Sequence, residues 1–561
     1  MNAFTVITSL GSQGSTTGTD LQGMSGNLSG NYFLGAEIDA TATATWNDNG
    51  SGVYAGFAPI GNNTTNNSTT RFTGIFDGGG HTISGLTINR PATDYVGLFG
   101  FTEGSVIANI SLVNASIKGQ NNVGALAGKA VNSQIAYSSA TGSVTGKDYV
   151  GGLVGERLGG SGTIANSYAA GSVKGGTWVG GLVGNNINGS ISSSYATGSV
   201  TGDAYVGGLA GYTNGNISNS YATGSVTGSG IVGGLAGYNN GAISSSYATG
   251  SVTGGNYVGG LVGRNDNSGV ISNSYWDVDT TGVTQGVAYG ATTGTTALYS
   301  KAGSLAVDNT RKSAFAQGSY TGFDFGADWY MVDGSTRPFL RSEHSTHITN
   351  AHQLQLMAMD LTANYTLGKN IDMGELTQTS GMWRTEAAKD GSGNYGFVPI
   401  GRGETEVTAF SGSFDGGGHT ISGLTINRPT EDYVGLFGYA YKNELDPNVQ
   451  KKIANVGLIG ASIVGKDNVG ALAGYTSVTS ITNSYVTTGS SVTGNSNVGG
   501  LAGNAGSIAN SYAAANVTGV SNVGGLAGKL TGLAEATYAT GDVTGTGANV
   551  GGLAGYVDTF G

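Results

Sequence analysis

The phrase Val-Gly-(Gly/Ala)-Leu-(Ala/Val)-Gly returns along this chain at almost fixed spacing. Its leading valines are Val123, Val150, Val179, Val206, Val232 and Val258, then Val469, Val498, Val523 and Val550. Within each run, successive copies lie 25 to 29 residues apart. Between them runs a second phrase, Ile-x-x-Ser-Tyr-Ala-Thr-Gly-Ser-Val-Thr-Gly, clearest at 191–202, 217–228 and 243–254. A period in this range marks stacked repeats, because a unit this short cannot bury its apolar face alone. Few other architectures satisfy such a pattern.

Each period holds three short strand-like runs, around Val-Gly-Gly-Leu, Ile-x-x-Ser-Tyr-Ala and Gly-Ser-Val-Thr-Gly, separated by Gly, Asn, Ser and Asp. Those separators permit tight turns, and no period has the length a helical repeat needs. The reading is an all-β, right-handed, three-sided parallel β-helix, or β-solenoid, since parallel crossovers are overwhelmingly right-handed. Glycine supplies 104 of 561 residues without a Gly-X-Y period, and the 38% hydrophobic content is periodic, so collagen and disorder are both excluded.

A larger duplication overlies the short one. Residues 76–91, from Phe76-Asp77-Gly78-Gly79-Gly80-His81 to Pro91, reappear at 414–429, and Asn31-Tyr32 matches Asn364-Tyr365. The chain therefore divides into 1–95, an irregular leader with the first coils of module one, and 96–285, its regular coils. An irregular aromatic-rich connector at 286–345 carries Phe315, Phe323, Phe325, Trp329, Tyr330 and Phe339. Residues 346–433 form the leader of module two and 434–561 its coils. One short helix is expected near 350–361, with Leu354, Met357, Ala358 and Leu361 on one face and Thr349 or Asn350 as cap. Shorter helical turns are expected near 296–302.

The net charge of −11, from 34 acidic and 23 basic residues, argues against nucleic acid and anionic membranes as partners. No apolar run is long enough to insert in a membrane. Cysteine is absent, which suits export to an oxidising compartment. Both ends read as cuts from a longer exported chain.

These repeats resemble the GLUG motif, found in large bacterial surface and secreted proteins, notably filamentous-haemagglutinin-like adhesins exported by two-partner secretion. The leader phrase Phe-Asp-Gly-Gly-Gly-His-Thr-Ile-Ser-Gly-Leu is similar to what precedes GLUG runs there. The resemblance implies a secreted or cell-surface adhesin, with biofilm-matrix members that bind exopolysaccharide as the nearest guide, and the rest of a longer adhesin chain as a partner.

Enzyme chemistry finds little support. Glycoside hydrolysis needs two carboxylates on adjacent coils, whereas Asp148, Glu156, Asp203 and Asp266 occupy different phases and Asp277 and Asp279 lie together at the end of a stack. Asp77, Asp415, His81 and His419 read as turn residues. His344, His347 and His352 share a polar region but lack the His-Glu-x-x-His spacing of a zinc protease. No catalytic, cofactor-binding or metal-binding residue is assigned.

A binding surface is the stronger idea. If the valine before each Gly-Gly-Leu points inward, the preceding residue points outward. That position reads Tyr95, Asn122, Tyr149, Trp178, Tyr205, Ile231 and Tyr257, then Tyr433, Asn468, Asn497, Asn522 and Asn549. Tyr149, Trp178, Tyr205 and Tyr257 are the candidate glycan-stacking residues. A second ladder, Tyr168, Tyr195, Tyr221, Tyr247 and Tyr275, shares parity with the isoleucines and is expected inside. Asn166, Ser193, Asn219, Ser245 and Asn273 would then make an internal polar ladder, unless a β-bulge shifts the phase and turns the tyrosines outward. The function expected is a non-enzymatic, monomeric extracellular adhesin rod holding polysaccharide or surface glycan. A pure spacer is the alternative. A polysaccharide-active enzyme and ice binding through Thr197, Thr223 and Thr249 rank below it.

Overall fold

In a computed structural model the described residues are 3–48, 50–62, 68–266, 268–301, 311–385, 395–405, 407–441, 452–476 and 479–558. The chain forms two compact units. The first comprises Met1–Ser300, Val307–Ala314 and Gly318–Asp324; the second comprises Lys301–Ala306, Phe315–Gln317 and Phe325–Gly561.

Each unit is a parallel β-solenoid. In the first, one coil contains the strands Asn216–Ser218, Tyr221–Ala222, Val226–Gly228, Ile231–Gly233 and Ala236–Asn239. Every one pairs in parallel with its counterpart in the next coil: Ile217 with Ile243, Tyr221 with Tyr247, Val226 with Val252, Val232 with Val258, Ala236 with Val262. The isoleucine ladder joins ten strands. The three runs expected to be strands are strands, but two of them are broken, so a regular coil such as this one has five. Asn219, at φ 45°, splits Ile217 from Tyr221. Gly234 and Leu235 split Val232 from Ala236.

The core follows the pattern. Ile217, Ala222, Val226, Val232 and Leu235 are fully buried and recur coil after coil. Each large aliphatic side chain so placed contributes about 1.5–3 kcal/mol of hydrophobic stabilisation. The glycine of the repeat is steric. A Cβ on Gly208 would lie 2.1 Å from the Gly234 carbonyl oxygen and 2.9 Å from the Ala222 methyl carbon, so a side chain there would force the backbone to shift, as it must around Ala125 and Ala471, which hold the same position in the first motif copy of each unit.

The left-handed residue also moves the polar ladder by one position. Asn166, Ser193, Asn219, Ser245 and Asn273 are those left-handed corner residues, at φ 45–49°, and none is buried. The interior ladder is instead Ser138, Ser167, Ser194, Ser220, Ser246 and Ser274, all buried. Each hydroxyl donates to the carbonyl two residues earlier, as Ser220 does to Ser218 at 2.8 Å, and from Ser167 onward each accepts the serine N–H of the preceding coil, as Ser246 does from Ser220 at 3.1 Å. The ladder is fully paired, the condition for burying it.

The second unit repeats the plan with a seven-stranded isoleucine ladder. The leaders of the two units correspond closely. Gln22 grips the backbone of Ala58 through both ends of its amide, at 3.1 and 3.0 Å, and Gln355 grips Val398 in the same way at 3.0 and 2.9 Å. The helix Ala351–Leu356 is capped by the Asn350 side chain, which accepts from the Gln353 N–H, and runs into a 3-10 turn at Met357–Met359. It is therefore shorter than 350–361. Its face is as expected in Leu354 and Met357, both fully buried. No helix forms at 296–299. Thr295–Tyr299 is a strand that pairs with Ser274–Asp277, because the open edge of the ladder satisfies its backbone better than an isolated turn would; residue 302 lies outside the described residues.

Candidate functional site

The residue before each motif valine is set by an unusual backbone. Tyr149, Trp178 and Tyr205 adopt φ of 57°, 58° and 54°. This left-handed conformation is rare for bulky side chains. It kinks the strand and swings the ring outward, while the following valine stays buried. Tyr149 and Trp178 lie 4.6 Å apart and 3° from parallel; Trp178 and Tyr205 lie 5.9 Å apart and 7° from parallel. All three are half-buried. They make one continuous stack whose inner ring faces are covered by one another, leaving edges toward solvent.

Tyr257 stands apart. Ile231 occupies the coil between it and Tyr205, its backbone is extended, and it is 40% exposed. Its nearest ring partner is Tyr289, edge-on at 5.3 Å. The structure thus brings three of the four expected residues together and places the fourth beyond a gap.

Beside this stripe runs a second column that sequence reasoning missed. It is the residue after the last glycine of the phrase: Lys129, Glu156, Asn185, Tyr212, Tyr238, Arg264 and then Tyr289, in parallel register. Its constant place after that glycine was the available signal. Next to Tyr149, Glu156 pairs with Lys129 at 2.7 Å and accepts from the amides of Asn122 at 2.8 Å and Asn185 at 3.2 Å. Burial, then the Glu156 and Asp148 carboxylates, raise the Tyr149 phenol above its ordinary value. Further along, Arg264 bonds Asp266 at 2.9 Å, and its guanidinium lies 5.2 Å from the rings of both Tyr238 and Tyr289. The Tyr238 hydroxyl donates to Asp266; burial and that carboxylate push its pKa up to about 12. The two acids engaged by this column, Glu156 and Asp266, each have a basic partner.

The second unit fills the stripe differently. After Tyr433, the left-handed positions are Asn468, Asn497, Asn522 and Asn549, whose side-chain amides bond coil to coil at 2.9, 2.8 and 2.9 Å.

The remaining candidates are structural. Asp77 and Asp415 each accept the N–H two residues on, at 2.9 Å, as expected of turn residues. Asp277 accepts from Asp279 at the start of a four-residue helix, and Asp148 accepts from the Thr177 N–H. His344 bonds the Tyr365 hydroxyl at 3.0 Å. His352 is buried between Glu343, at 2.7 Å, and Glu375, at 2.9 Å. Burial opposes its charge, but the two carboxylates prevail and raise its pKa to about 10. Among the described residues no cluster of histidines and acids has the arrangement to hold a metal ion, and no helix is long and apolar enough to cross a membrane.

A family model matches residues 119–145, 175–201, 202–227 and 254–280. These segments carry the GLUG motif. Each GLUG match opens at the turn before the strand that carries the motif valine; the first three close at the valine strand that follows the tyrosine position, and the fourth closes in the helix Val278–Thr281. A stretch of 127 residues is 46% identical to halomucin from Haloquadratum walsbyi; that is 22% of this chain and 1% of the length of that relative. Two solved structures are loosely similar. One is a proposed immunoglobulin A1 protease from Bacteroides ovatus, 19% identical, covering 57% of this chain and 90% of that one at a TM-score of 0.37. The other is an IgA1 protease, 22% identical, covering 56% of this chain and 22% of that one at a TM-score of 0.34. At these scores neither bears on what the GLUG coils do.

Proposed function

We propose that this chain is part of a non-enzymatic extracellular adhesin, and that the stripe Tyr149, Trp178, Tyr205 with outlying Tyr257 contacts a polysaccharide or surface glycan. One observation carries the reading. At a backbone position where asparagine is comfortable, and where the second unit uses it throughout its regular coils, the first unit holds three large aromatics against their conformational preference. An outlier of this kind points toward function. The flanking Lys129, Glu156, Asn185 and Arg264 offer the planar, paired donors and acceptors that sugar hydroxyls engage, and the pairing of Glu156 with Lys129 and of Asp266 with Arg264 suits an uncharged glycan. Export to the bacterial surface is supported by the GLUG motif, by the halomucin likeness and by the lack of cysteine.

The spacer reading draws on a different fact: the faces of the three rings are largely spent on one another. The test separates the two. Replacing Tyr149, Trp178 and Tyr205 together by Asn installs the second unit's own choice without a backbone penalty. Retention of a neutral exopolysaccharide on immobilised protein should fall at least tenfold, with the melting temperature little changed. Unaltered retention would leave the spacer reading standing.

A further inference from the structure

The tyrosine of the second phrase follows an inward serine and precedes an inward alanine, so its ring leaves the coil. In the first unit Tyr195, Tyr221, Tyr247 and Tyr275 are nonetheless almost wholly buried. Part of the cover is a segment of this same chain. Gly318–Asp324 lays Tyr320 and Phe323 against Tyr275, at 5.2 and 5.5 Å, and against Tyr247, at 6.3 and 6.4 Å. The Tyr275 hydroxyl donates to the Thr321 carbonyl at 2.7 Å, and Ser245 donates to the Gly322 carbonyl at 3.3 Å. Gly322, at φ +86°, comes so close that a Cβ there would lie 2.3 Å from the Asn273 amide nitrogen.

The second unit builds the same wall from Tyr485, Tyr512 and Tyr538, stacked at 5.1 and 4.8 Å and within 7° of parallel. The first ring rests on Gly457, where any side chain would strike it. Here Tyr485 and Tyr512 are only partly buried. Two copies of one surface thus differ in cover.

We propose that the Tyr485–Tyr512–Tyr538 wall is a docking site for a peptide segment of the same chemistry as Gly318–Asp324: two aromatics three residues apart, joined through a glycine, with a backbone carbonyl placed to accept from a phenol hydroxyl as Thr321 accepts from Tyr275. The first unit supplies the precedent, since a peptide segment sits on its copy of this wall. A parallel stack has its ring faces occupied and offers edges and hydroxyls, which incoming rings meet edge-on and a backbone carbonyl accepts from. That is how the first unit's wall is satisfied.

The test uses the full chain and the peptide Gly-Ser-Tyr-Thr-Gly-Phe-Asp, amidated and carrying a benzophenone acyl group at its N-terminus. Photo-cross-links mapped by mass spectrometry should concentrate between residues 480 and 540. They should fall at least tenfold when Tyr485→Thr and Tyr512→Thr are combined, threonine keeping the strand preference. Tyr512→Phe, which retains the stack and loses one hydroxyl, should give an intermediate yield and certifies the fold. A peptide with both aromatics replaced by Ala should not label the wall. Labelling that is scattered, absent, or unmoved by the double replacement overturns the proposal, as does protection of these tyrosines from nitration by a neutral polysaccharide but not by the peptide. Polysaccharide retention by the double variant should equal that of the parent chain, because the first unit's stripe is untouched; its loss would relocate the glycan site without rescuing the peptide reading.

Discussion

The two units share a backbone and differ in what they hang on it. At the kink before the motif valine, both take the left-handed conformation, but one chooses Tyr149, Trp178 and Tyr205 and the other Asn468, Asn497, Asn522 and Asn549. Asparagine tolerates that conformation and closes a ladder of side-chain amides. Aromatic rings do not favour it, and hold it only because stacking and the neighbouring coil fix them. The lesson is that the kink belongs to the scaffold, whereas the side chain on it is free to be selected for something else.

The leaders differ more sharply, and the largest expected effect lies there. The offset that aligns Gln22 with Gln355 aligns His352 with Thr19, so only the second unit holds a buried imidazolium between two carboxylates. Replacing His352 by Leu should destabilise the second unit by about 3–5 kcal/mol, because Glu343 and Glu375 would be left buried without their cation; denaturant unfolding followed by hydrogen exchange should show the first unit unaffected.

The same contrast can be sharpened with pH. The His352 value of about 10 lies above its ordinary 6.5, so its contribution is complete below 6.5 and is lost as pH rises toward 10. Glu375 is held below its ordinary 4.5, so its contribution is complete above that value and is lost as pH falls. Melting assigned to the second unit should therefore peak near pH 5–6.5 and decline on both sides, while the first unit lacks this term. A flat profile for the second unit would dismiss the charged clamp.

The glycine seam should break both units alike. A Cβ on Gly500 would lie 2.3 Å from the Gly525 carbonyl oxygen, close to the figure for Gly208. Gly208→Ala and Gly500→Ala should each cost about 1–3 kcal/mol in their own unit, by the overpacking that a filled interior does not absorb. Unequal costs would mean that the two scaffolds are less alike than their registers indicate.

The smallest effect is the exchange of stripe residues. Asn497→Tyr should cost about 1 kcal/mol, for the strained conformation and one interrupted amide ladder. Trp178→Asn should be near neutral, losing a ring stack and gaining a preferred backbone. Calorimetry on the two single variants would decide this, and a stabilising Asn497→Tyr would contradict the comparison outright.

Much of the coil was legible because its period repeats a complete hydrogen-bonding solution: isoleucine, valine and leucine at fixed offsets admit little else. What escaped was phase. Alternation along a strand holds only while the backbone stays extended, and Asn219 and its counterparts leave that region, moving the buried polar rung from Asn219 to Ser220. The tyrosines following them were expected inside; they leave the coil and are buried in the first unit with help from a distant segment, a tertiary fact no local pattern contains. The stripe was legible as a column, but Ile231 breaks it before Tyr257, and the partners Glu156 and Arg264 lie on a neighbouring strand. The helix near 350 was found through its cap and overextended at its other end, where Met357–Met359 tightens into a 3-10 turn.

The serine rungs bear on how such a molecule changes over generations. Since from Ser167 onward every Ser hydroxyl serves its own coil and the one before it, adding or deleting a whole period leaves each survivor with an identical neighbour. Unequal recombination between copies would therefore yield longer or shorter descendants that fold at once, and reach could be adjusted without inventing a single new contact.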